Sequence, residues 1–498
     1  MASLSTTTSL EKKDYVGARV TAAPALSNLP NVDEKDEDEG ARLAGYVRND
    51  YTEEEAAAVG RKLDRRVMPL LALVYFSQFF DKNSLTYSSV MALPIKGEHF
   101  SLVSMAFYLG FLVSEIPTTM LSQRFPLGKY LGVNIILWAT FLILHAASAN
   151  FGFFFAMRFL LGVFESCVSP ILLTYIAAMY PKRQQAKRIS VFYSCNGFTN
   201  MFGGIIAWGV THYRGDAIAH WRIMYLLMGG MAFVVGISVL LWLPDSLATA
   251  TFLTEREKRY QVVEALTDPK TYILLLLTAL SSIPNGGLAS FSSLIIKGFG
   301  YTSQDTLLLQ IPGGAIAALT TITVCQISDR LNTRMLPILI AVIPTVIGAA
   351  LLVAFSGGNK AGSLAGIFLA ETYGSALALQ YAWTASNTGG ATKKSVVNSM
   401  FLTTFALSNI IGTQIFRPSA APAYTSGKIA ILTLFSAMIP TVFCMWGYTT
   451  WLNKKKSAQL SRLIEEHGWT PEDVDAQRSK AAVEDKTDRE NVFQTYVS

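Results

Sequence analysis

Residues 76–90 read FSQFFDKNSLTYSSV and place two adjacent charges, Asp81 and Lys82, inside a segment that is otherwise apolar from Pro69 to Pro94. A charge at the centre of a bilayer-spanning helix costs about 2.5–3.5 kcal/mol even on lenient insertion scales. The pair therefore needs a reason. Either the segment does not cross a membrane, or its helix has a polar face that never meets lipid.

Composition decides between these readings. Of the 498 residues, 51% are hydrophobic and only 15% are charged, below the roughly 25% that is typical of soluble domains. The apolar residues come in blocks about 20 residues long, which is the length of helix that crosses a hydrocarbon core. The blocks predict twelve spans near 67–92, 104–122, 128–149, 151–179, 189–211, 222–243, 270–296, 304–326, 335–355, 362–385, 396–416 and 428–451. The sequence thus predicts an all-α polytopic membrane protein.

A polar stretch separates six spans from six. The predicted organisation is a disordered cytoplasmic tail (1–50), an amphipathic pre-membrane helix (51–66), a six-helix bundle (67–243), a short cytoplasmic central loop (244–269), a second six-helix bundle (270–452) and a cytoplasmic tail (453–498). The charge runs in the tails are interpreted as solvated. Parallel six-helix halves with a substrate site between them at mid-membrane are a known transporter architecture.

The distribution of charge predicts orientation and excludes other classes. Lys and Arg are concentrated in the loops that share a side with both termini, so both termini are expected in the cytoplasm. The net charge of +6 reflects this bias, and no basic patch interleaved with aromatics indicates nucleic-acid binding. The four Cys and five His show no metal-ligand spacing. No GxxxxGK[ST] loop or catalytic constellation is present, so we expect neither an enzyme nor a cofactor.

Ionisable residues inside the spans are candidates for function. At helical spacing, one face of the first span carries Ser77, Asp81, Ser84 and Ser88, either lining a cavity or forming a structural pair. Span four carries Arg158 and Glu165 on one face, and Gly162 between them permits close helix approach. Arg158 stays charged and needs a carboxylate partner or an anionic ligand.

The available carboxylate partners are Glu115 and Glu165. A buried carboxylate whose pairing with an arginine changes with conformation can take up and release a proton. A permanent Arg–Glu strut is the alternative, and the two readings are compatible. The resulting proton-coupling candidates are Asp81, Glu115, Glu165 and Glu371.

The second half is less charged within its spans. In SSIPNGG (281–287), Pro284 and two glycines are expected to break the helix and free backbone carbonyls. Amides and aromatics at 371–387 suit an organic substrate held by stacking and hydrogen bonds, although Tyr381 and Trp383 could equally serve in core packing. The substrate-binding candidates are Arg158, Asn285, Gln380, Tyr381, Trp383 and Asn387.

Longer motifs resemble one known family. They include LDRRVMPLLALVYFSQFFDKNSLTYSSV (63–90), FYLGFLVSEIPTTMLSQRFPLGKYLG (107–132), MRFLLGVFESCVSP (157–170), IPNGGLASFSSLIIKGFGYTSQDTLLLQIPGGA (283–315) and SNTGGATKKSVVNSMF (386–401). Together they are similar to the fungal allantoate permease family, the anion:cation symporter branch of the major facilitator superfamily. Arg158 and Gly162 also fit the superfamily's Arg-x-x-x-Gly signature.

The resemblance implies the major facilitator fold and proton-coupled import of a small organic anion across the plasma membrane. Allantoate and other ureido acids, nicotinate and pantothenate are substrates of the family, and a monomer driven by the proton gradient is implied. It also implies a conformational latch in the loops SQRFPLGK (122–129) and SDRLNTR (328–334), formed by Arg124, Lys129, Asp329, Arg330 and Arg334. Gln123 stands where the first of these loops would carry an acid.

Two other functions remain open. An exporter of a secondary metabolite is one, although NGFTNMFGGIIAWG (196–209) has no proline of the kind that antiporters of the superfamily favour, which weakly favours symport. The second is a nutrient sensor that keeps the fold without net flux.

Overall fold

The computed structural model describes residues 61–497, except for 62, 123, 149, 180–181, 216, 244–262, 332, 357, 417–420, 422 and 484–486. The predicted tail at 1–50, residues 51–60 and 62 of the pre-membrane helix at 51–66, and most of the central loop at 244–269 therefore lie outside the described residues.

Every regular element within the described residues is a helix. The α-helices are α1 Met68–Ser88, α2 Glu98–Ser122, α3 Leu127–Leu144, α4 Phe151–Glu165, α5 Val168–Met179, α6 Lys182–Val210, α7 His220–Trp242, α8 Pro269–Gly298, α9 Ser303–Leu308, α10 Gln310–Leu331, α11 Met335–Ala354, α12 Lys360–Ala370, α13 Tyr373–Asn387, α14 Ala391–Ile415, α15 Thr425–His467 and α16 Pro471–Val483. We call α1–α7 the first half and α8–α15 the second half.

The helices agree with a multi-pass membrane protein. Within the described part of the chain, nine helical segments are long and apolar enough to cross a membrane. The three other predicted spans, at 67–92, 189–211 and 362–385, correspond to α1, α6 and the pair α12–α13. Helices α1 and α6 carry more polar side chains, and α12 and α13 are each short. The fold is therefore consistent with the twelve predicted spans.

Glycines set the closest helix approaches in both halves. A methyl group at Gly162 of α4 would overlap the backbone carbonyl of Phe107 in α2, which agrees with the close approach predicted there. A methyl group at Gly412 of α14 would likewise overlap the carbonyl of Ile283 in α8. The two halves thus use the same device, although at different helix pairs.

The predicted break at Pro284 is wrong. Helix α8 runs without interruption from Pro269 to Gly298, with Pro284 inside it. The glycines that follow serve packing instead, because a methyl group at Gly286 would lie 2.5 Å from the carbonyl oxygen of Asn409 in α14. The close approach of α14 explains why small residues stand here.

The halves meet away from the end of the bundle at which α1 and α8 begin. We call that end the basic end, because the predicted Lys- and Arg-rich loops lie there. Contacts between the halves include Thr86 with Ser293, at 3.3 Å between hydroxyl oxygens, and the Ser101 hydroxyl, which donates to the Thr413 carbonyl at 2.8 Å. Both lie near the opposite end, where α1 ends and α2 begins.

The C-terminal residues fold back onto the bundle. Helix α15 continues to His467, and Thr487–Val497, which we call the C-terminal strap, packs against the basic end of the second half. Thr487 and Asp488 are fully buried. The interpretation of the C-terminal charges as solvated was therefore wrong for the strap.

Candidate functional site

A polar cavity lies between the two halves. It encloses about 730 Å³, including its open mouth, and is lined by helices from both halves. Its described polar and ionisable lining residues are Lys82, Asn83, Thr86, Tyr87, Asn196, Asn200, Asn285, Ser292, Gln310, Glu371 and Tyr373. A concave site with a few convergent polar groups is the usual form of a small-molecule site.

Lys82 brings a positive charge to this cavity. Its Nζ lies 5.4 Å from the ring centroids of Phe79 and Phe405, 5.5 Å from that of Phe107 and 5.9 Å from that of Tyr108. Aromatic faces stabilise a cation by about 0.5–2 kcal/mol. Lys82 makes no hydrogen bond or close ion pair with any described residue, so its ammonium group is available to an anionic ligand.

Asp81, its neighbour in sequence, forms the buried ion pair of the first half. Its Oδ1 lies 3.6 Å from Nη1 of Arg158, and the same Nη1 donates to the Ser84 hydroxyl at 3.4 Å. Asp81 and Arg158 are both buried and lie outside the cavity lining. The carboxylate that pairs with Arg158 is thus Asp81, not the expected Glu115 or Glu165.

Glu165 completes a group of four ionisable side chains. It is fully buried, and neither carboxylate oxygen accepts a hydrogen bond from a described residue. Its electrostatic neighbours are Asp81, Lys82 and Arg158. Two acids and two bases therefore share one buried region of the first half, and their charges cancel when both acids are ionised.

The two other candidate carboxylates lie apart. Glu115 is buried in α2, where it makes no hydrogen bond or close ion pair through its carboxylate with the described residues. Glu371 lies at the junction between α12 and α13 and is the acidic side chain among the described cavity-lining residues. Only Glu371 could therefore contact a ligand in this cavity directly.

Each half contributes an asparagine pair near the cavity. Asn83 of α1 donates to Oδ1 of Asn200 in α6 at 2.6 Å, and Asn285 of α8 donates to Oδ1 of Asn409 in α14 at 2.7 Å. The Tyr373 hydroxyl donates to Oδ1 of Asn285 at 2.7 Å. These bonds fix the orientation of the amides, which therefore present defined donors and acceptors to a ligand.

Four predicted substrate residues lie elsewhere in the second half. Gln380 is fully buried and accepts a hydrogen bond from a serine of α8, and Tyr381 packs against a phenylalanine of α14. Trp383 and Asn387 both donate to the backbone carbonyl of Val497 in the C-terminal strap. None of the four lines the cavity, whereas Asn285 does.

The predicted latch residues lie at the basic end. Asp329 pairs with Arg334 within the second half at 3.3 Å. Arg124, Lys129 and Arg330 are exposed. The latch therefore stays a prediction.

Sequence reasoning missed several cavity residues, among them Lys82, to which it gave no role. The signal was present, since Lys82 follows Asp81 and must point to a different strip of the same helix. Asn83 and Tyr373 had no such signal, because amides and phenols are common in helix interfaces.

Two bundle halves around a polar mid-membrane cavity define a secondary transporter. The model of the Major Facilitator Superfamily matches residues 70–413. The chain belongs to this superfamily, in the fungal branch that includes allantoate permease, and it is a transporter rather than an enzyme. The predicted family and fold are thereby confirmed.

Individual relatives support membership of this superfamily. The chain is 30% identical over 518 residues to allantoate permease of Saccharomyces cerevisiae, covering 95% of this chain and 93% of the relative. It is 31% identical over 474 residues to the thiamine pathway transporter THI73 of the same yeast, covering 90% and 88%. Among solved structures, it is similar to an inward-facing, unoccupied bacterial homologue of the human lysosomal transporter Spinster. The TM-score is 0.58 and the identity 16%, over 76% of this chain and 96% of that one.

Proposed function

We propose that this protein is a proton-coupled importer of a small organic anion. The observation that carries the proposal is the position of Lys82, an ammonium group that lines the cavity without a hydrogen-bonded or ion-paired partner among the described residues. A charge held within the membrane is costly and normally has a partner. A ligand carboxylate would be that partner, and the neighbouring asparagines would orient the rest of the molecule.

The proposed orientation follows from charge. The basic end is cytoplasmic under the positive-inside rule, and both termini are then cytoplasmic in the plasma membrane. The contacts of Thr86 with Ser293 and of Ser101 with Thr413 would then close the outer side. The described conformation is, in this proposal, the inward-facing one of an alternating-access cycle, and the protein works as a monomer.

Proton coupling is proposed for the buried acids beside Lys82. A ligand anion at Lys82 adds a negative charge near Asp81 and Glu165, and a nearby like charge disfavours an ionised carboxylate. Binding of the anion therefore favours uptake of a proton by this pair. Release of the anion restores the balance of two acids and two bases, which favours release of the proton on the same side.

Relatives differ in the substrates that their names indicate, so the substrate is best found by direct trial. Purified protein in proteoliposomes would be given an inward proton gradient and allantoate, nicotinate, pantothenate or a dipeptide. The proposal predicts gradient-driven accumulation of at least one of these carboxylates. Failure to accumulate any of them, with faster loss of preloaded substrate, would favour an exporter instead.

The residue test uses Lys82→Gln with Lys96→Gln as its control, because Lys96 is exposed outside the cavity. A hydrogen bond to a charged group contributes about 1.5–3 kcal/mol, so Lys82→Gln should raise the substrate Kd about 10- to 150-fold. Lys96→Gln should leave it unchanged. Equal Kd values for Lys82→Gln and the unmodified chain would contradict the proposal.

A further inference from the structure

Side chains of the bundle hold the C-terminal strap through hydrogen bonds to its backbone, as a binding site would hold a peptide ligand. The amide N–H of Val497 donates to Oδ1 of Asn387 at 2.7 Å, and its carbonyl accepts from Asn387 and Trp383 at 2.9 and 2.8 Å. Asn453 makes the same reciprocal pair with the backbone of Tyr496, at 2.8 Å in both directions. Two asparagines and a tryptophan of the bundle thus bind two successive residues.

Asp488 supplies the charge of this contact. Its carboxylate accepts from Nζ of Lys270 at 2.5 Å, from Nζ of Lys393 at 2.7 Å and from the Tyr496 hydroxyl at 2.9 Å. Both lysines and Asp488 are almost completely buried. Buried ammonium groups require such partners, because an unpaired charge away from water is strongly unfavourable.

A third lysine binds the backbone of the strap. Nζ of Lys456 donates to the carbonyl oxygens of Asp488, Asn491 and Gln494, the last two at 2.9 and 2.8 Å. Three acceptors satisfy all three protons of an ammonium group. The strap therefore fills the donor capacity of Lys456.

The acidic cluster nearby is an ion-pair core. Glu264, Asp268 and Asp488 converge closely enough for a metal, but Nζ of Lys393 donates to all three at 2.8, 2.9 and 2.7 Å. The lysine supplies the positive charge that a metal would bring. Removing the carboxylate of Asp488 would leave Lys270 and Lys393, both buried, without one of their acceptors.

The strap remains charged at neutral pH. Burial by itself would raise the pKa of Asp488, but Lys270 and Lys393 outweigh it and hold that pKa well below its usual range. A lowered carboxylate pKa stabilises the folded form above the unfolded value of about 3.9. Strap docking should therefore weaken only as the pH falls below about 4.

We propose that the basic end of the second half is a peptide-binding groove for an acidic and aromatic C-terminal segment, and that the groove must be filled for transport. Its residues come from the ends of α8, α13 and α14 and from the body of α15, so the strap ties four helices into one body. Alternating access moves the halves as rigid bodies. An empty groove would let these ends separate and would slow that movement without altering the cavity.

The test uses the full chain with Asp488→Asn, and Asp475→Asn as the control. Asp475 lies on α16, largely exposed, in a surface pair with Arg478 at 3.5 Å. Hydrogen exchange of the 487–497 amides should become at least tenfold faster in Asp488→Asn and stay unchanged in Asp475→Asn. Trp383→Phe, which removes one hydrogen bond and no charge, should give a smaller acceleration.

The second part of the test measures uptake and therefore rests on the proposed function. Asp488→Asn should lower the maximal uptake rate at least fivefold while the substrate Kd changes less than twofold. Rapid exchange of the strap amides in the unmodified chain would overturn the docking, whatever the substrate is. Release of the strap in Asp488→Asn with uptake unchanged would overturn its requirement for transport. Absence of uptake in the unmodified chain, with the strap protected, would count against the proposed function and leave the docking supported.

Discussion

The two halves share a helical frame but distribute their charges differently. The first half buries Asp81, Arg158 and Glu165 in one region beside Lys82, which lines the cavity. The second half lines the same cavity mainly with neutral groups, and it concentrates its buried charges at the basic end around the C-terminal strap. In the proposed mechanism, the first half therefore supplies the charge chemistry, and the second half supplies the shape of the ligand site and the mechanical integrity of the bundle.

The free-energy cost of burying charged side chains explains why this difference between the halves is informative. A glycine-mediated helix approach occurs in both halves and therefore reports only on the fold. A charged side chain in the membrane interior is energetically unfavourable and usually marks a functional site. The charges at the basic end are less informative about transport chemistry, because lysines and carboxylates there satisfy one another.

The largest expected effect comes from breaking the buried pair of the first half. Arg158→Ala leaves the carboxylate of Asp81 without its partner, and removing one member of a buried ion pair costs about 3–5 kcal/mol. The unfolding free energy, measured by SDS titration in mixed micelles, should fall by about that amount. Arg214→Ala, at an exposed arginine, is the matched control.

A second substitution tests whether the partner is correct. Asp81→Asn in the Arg158→Ala background removes the uncompensated charge, so the double variant should recover part of the lost stability. If the double variant is no more stable than Arg158→Ala alone, Asp81 is not the group that Arg158 neutralises. That result would contradict the buried ion pair on which the comparison of the two halves rests.

A smaller effect is expected from the neutral lining of the second half. Asn285→Ala removes the acceptor of the Tyr373 hydroxyl and the donor to Asn409. Asn285 also lines the cavity, and the loss of one hydrogen bond to the substrate costs about 1–1.5 kcal/mol, so the substrate Kd should rise about 5- to 12-fold. The number of protons per substrate should not change.

Asn83→Ala provides the matching experiment in the first half, since Asn83 forms the corresponding amide pair with Asn200. Both variants should weaken substrate binding and preserve the coupling ratio. A changed ratio in Asn285→Ala would show that the second half takes part in coupling, contrary to the division of roles.

Much of the fold could be predicted from the sequence, because apolar length and the positions of glycine act locally. The span lengths and the close approach at Gly162 are examples. The error at Pro284 has a non-local cause, since a proline inside a long apolar helix can be accommodated when neighbouring helices support it. Pattern alone does not report that support.

The site was less predictable because its contacts join distant segments. Helical spacing placed Asp81 and Arg158 each on a polar face, but which acid meets the arginine depends on how α1 packs against α4. Lys270 and Asp488 are 218 positions apart. For the same reason, Trp383 and Asn387 resembled ligand-binding residues in the sequence, whereas in the structure they bind Val497 of the C-terminal strap.

Proton flux through the first half is the most direct test of the account. Proteoliposomes containing a pH-sensitive dye would receive substrate on the outside, with the unmodified chain, Glu165→Gln, and Glu98→Gln as an exposed control. The account predicts that substrate acidifies the interior for the unmodified chain and for Glu98→Gln. Glu165→Gln should exchange substrate across the membrane without acidification. Substrate-driven acidification that persists in Glu165→Gln would contradict the assignment of proton coupling to Glu165.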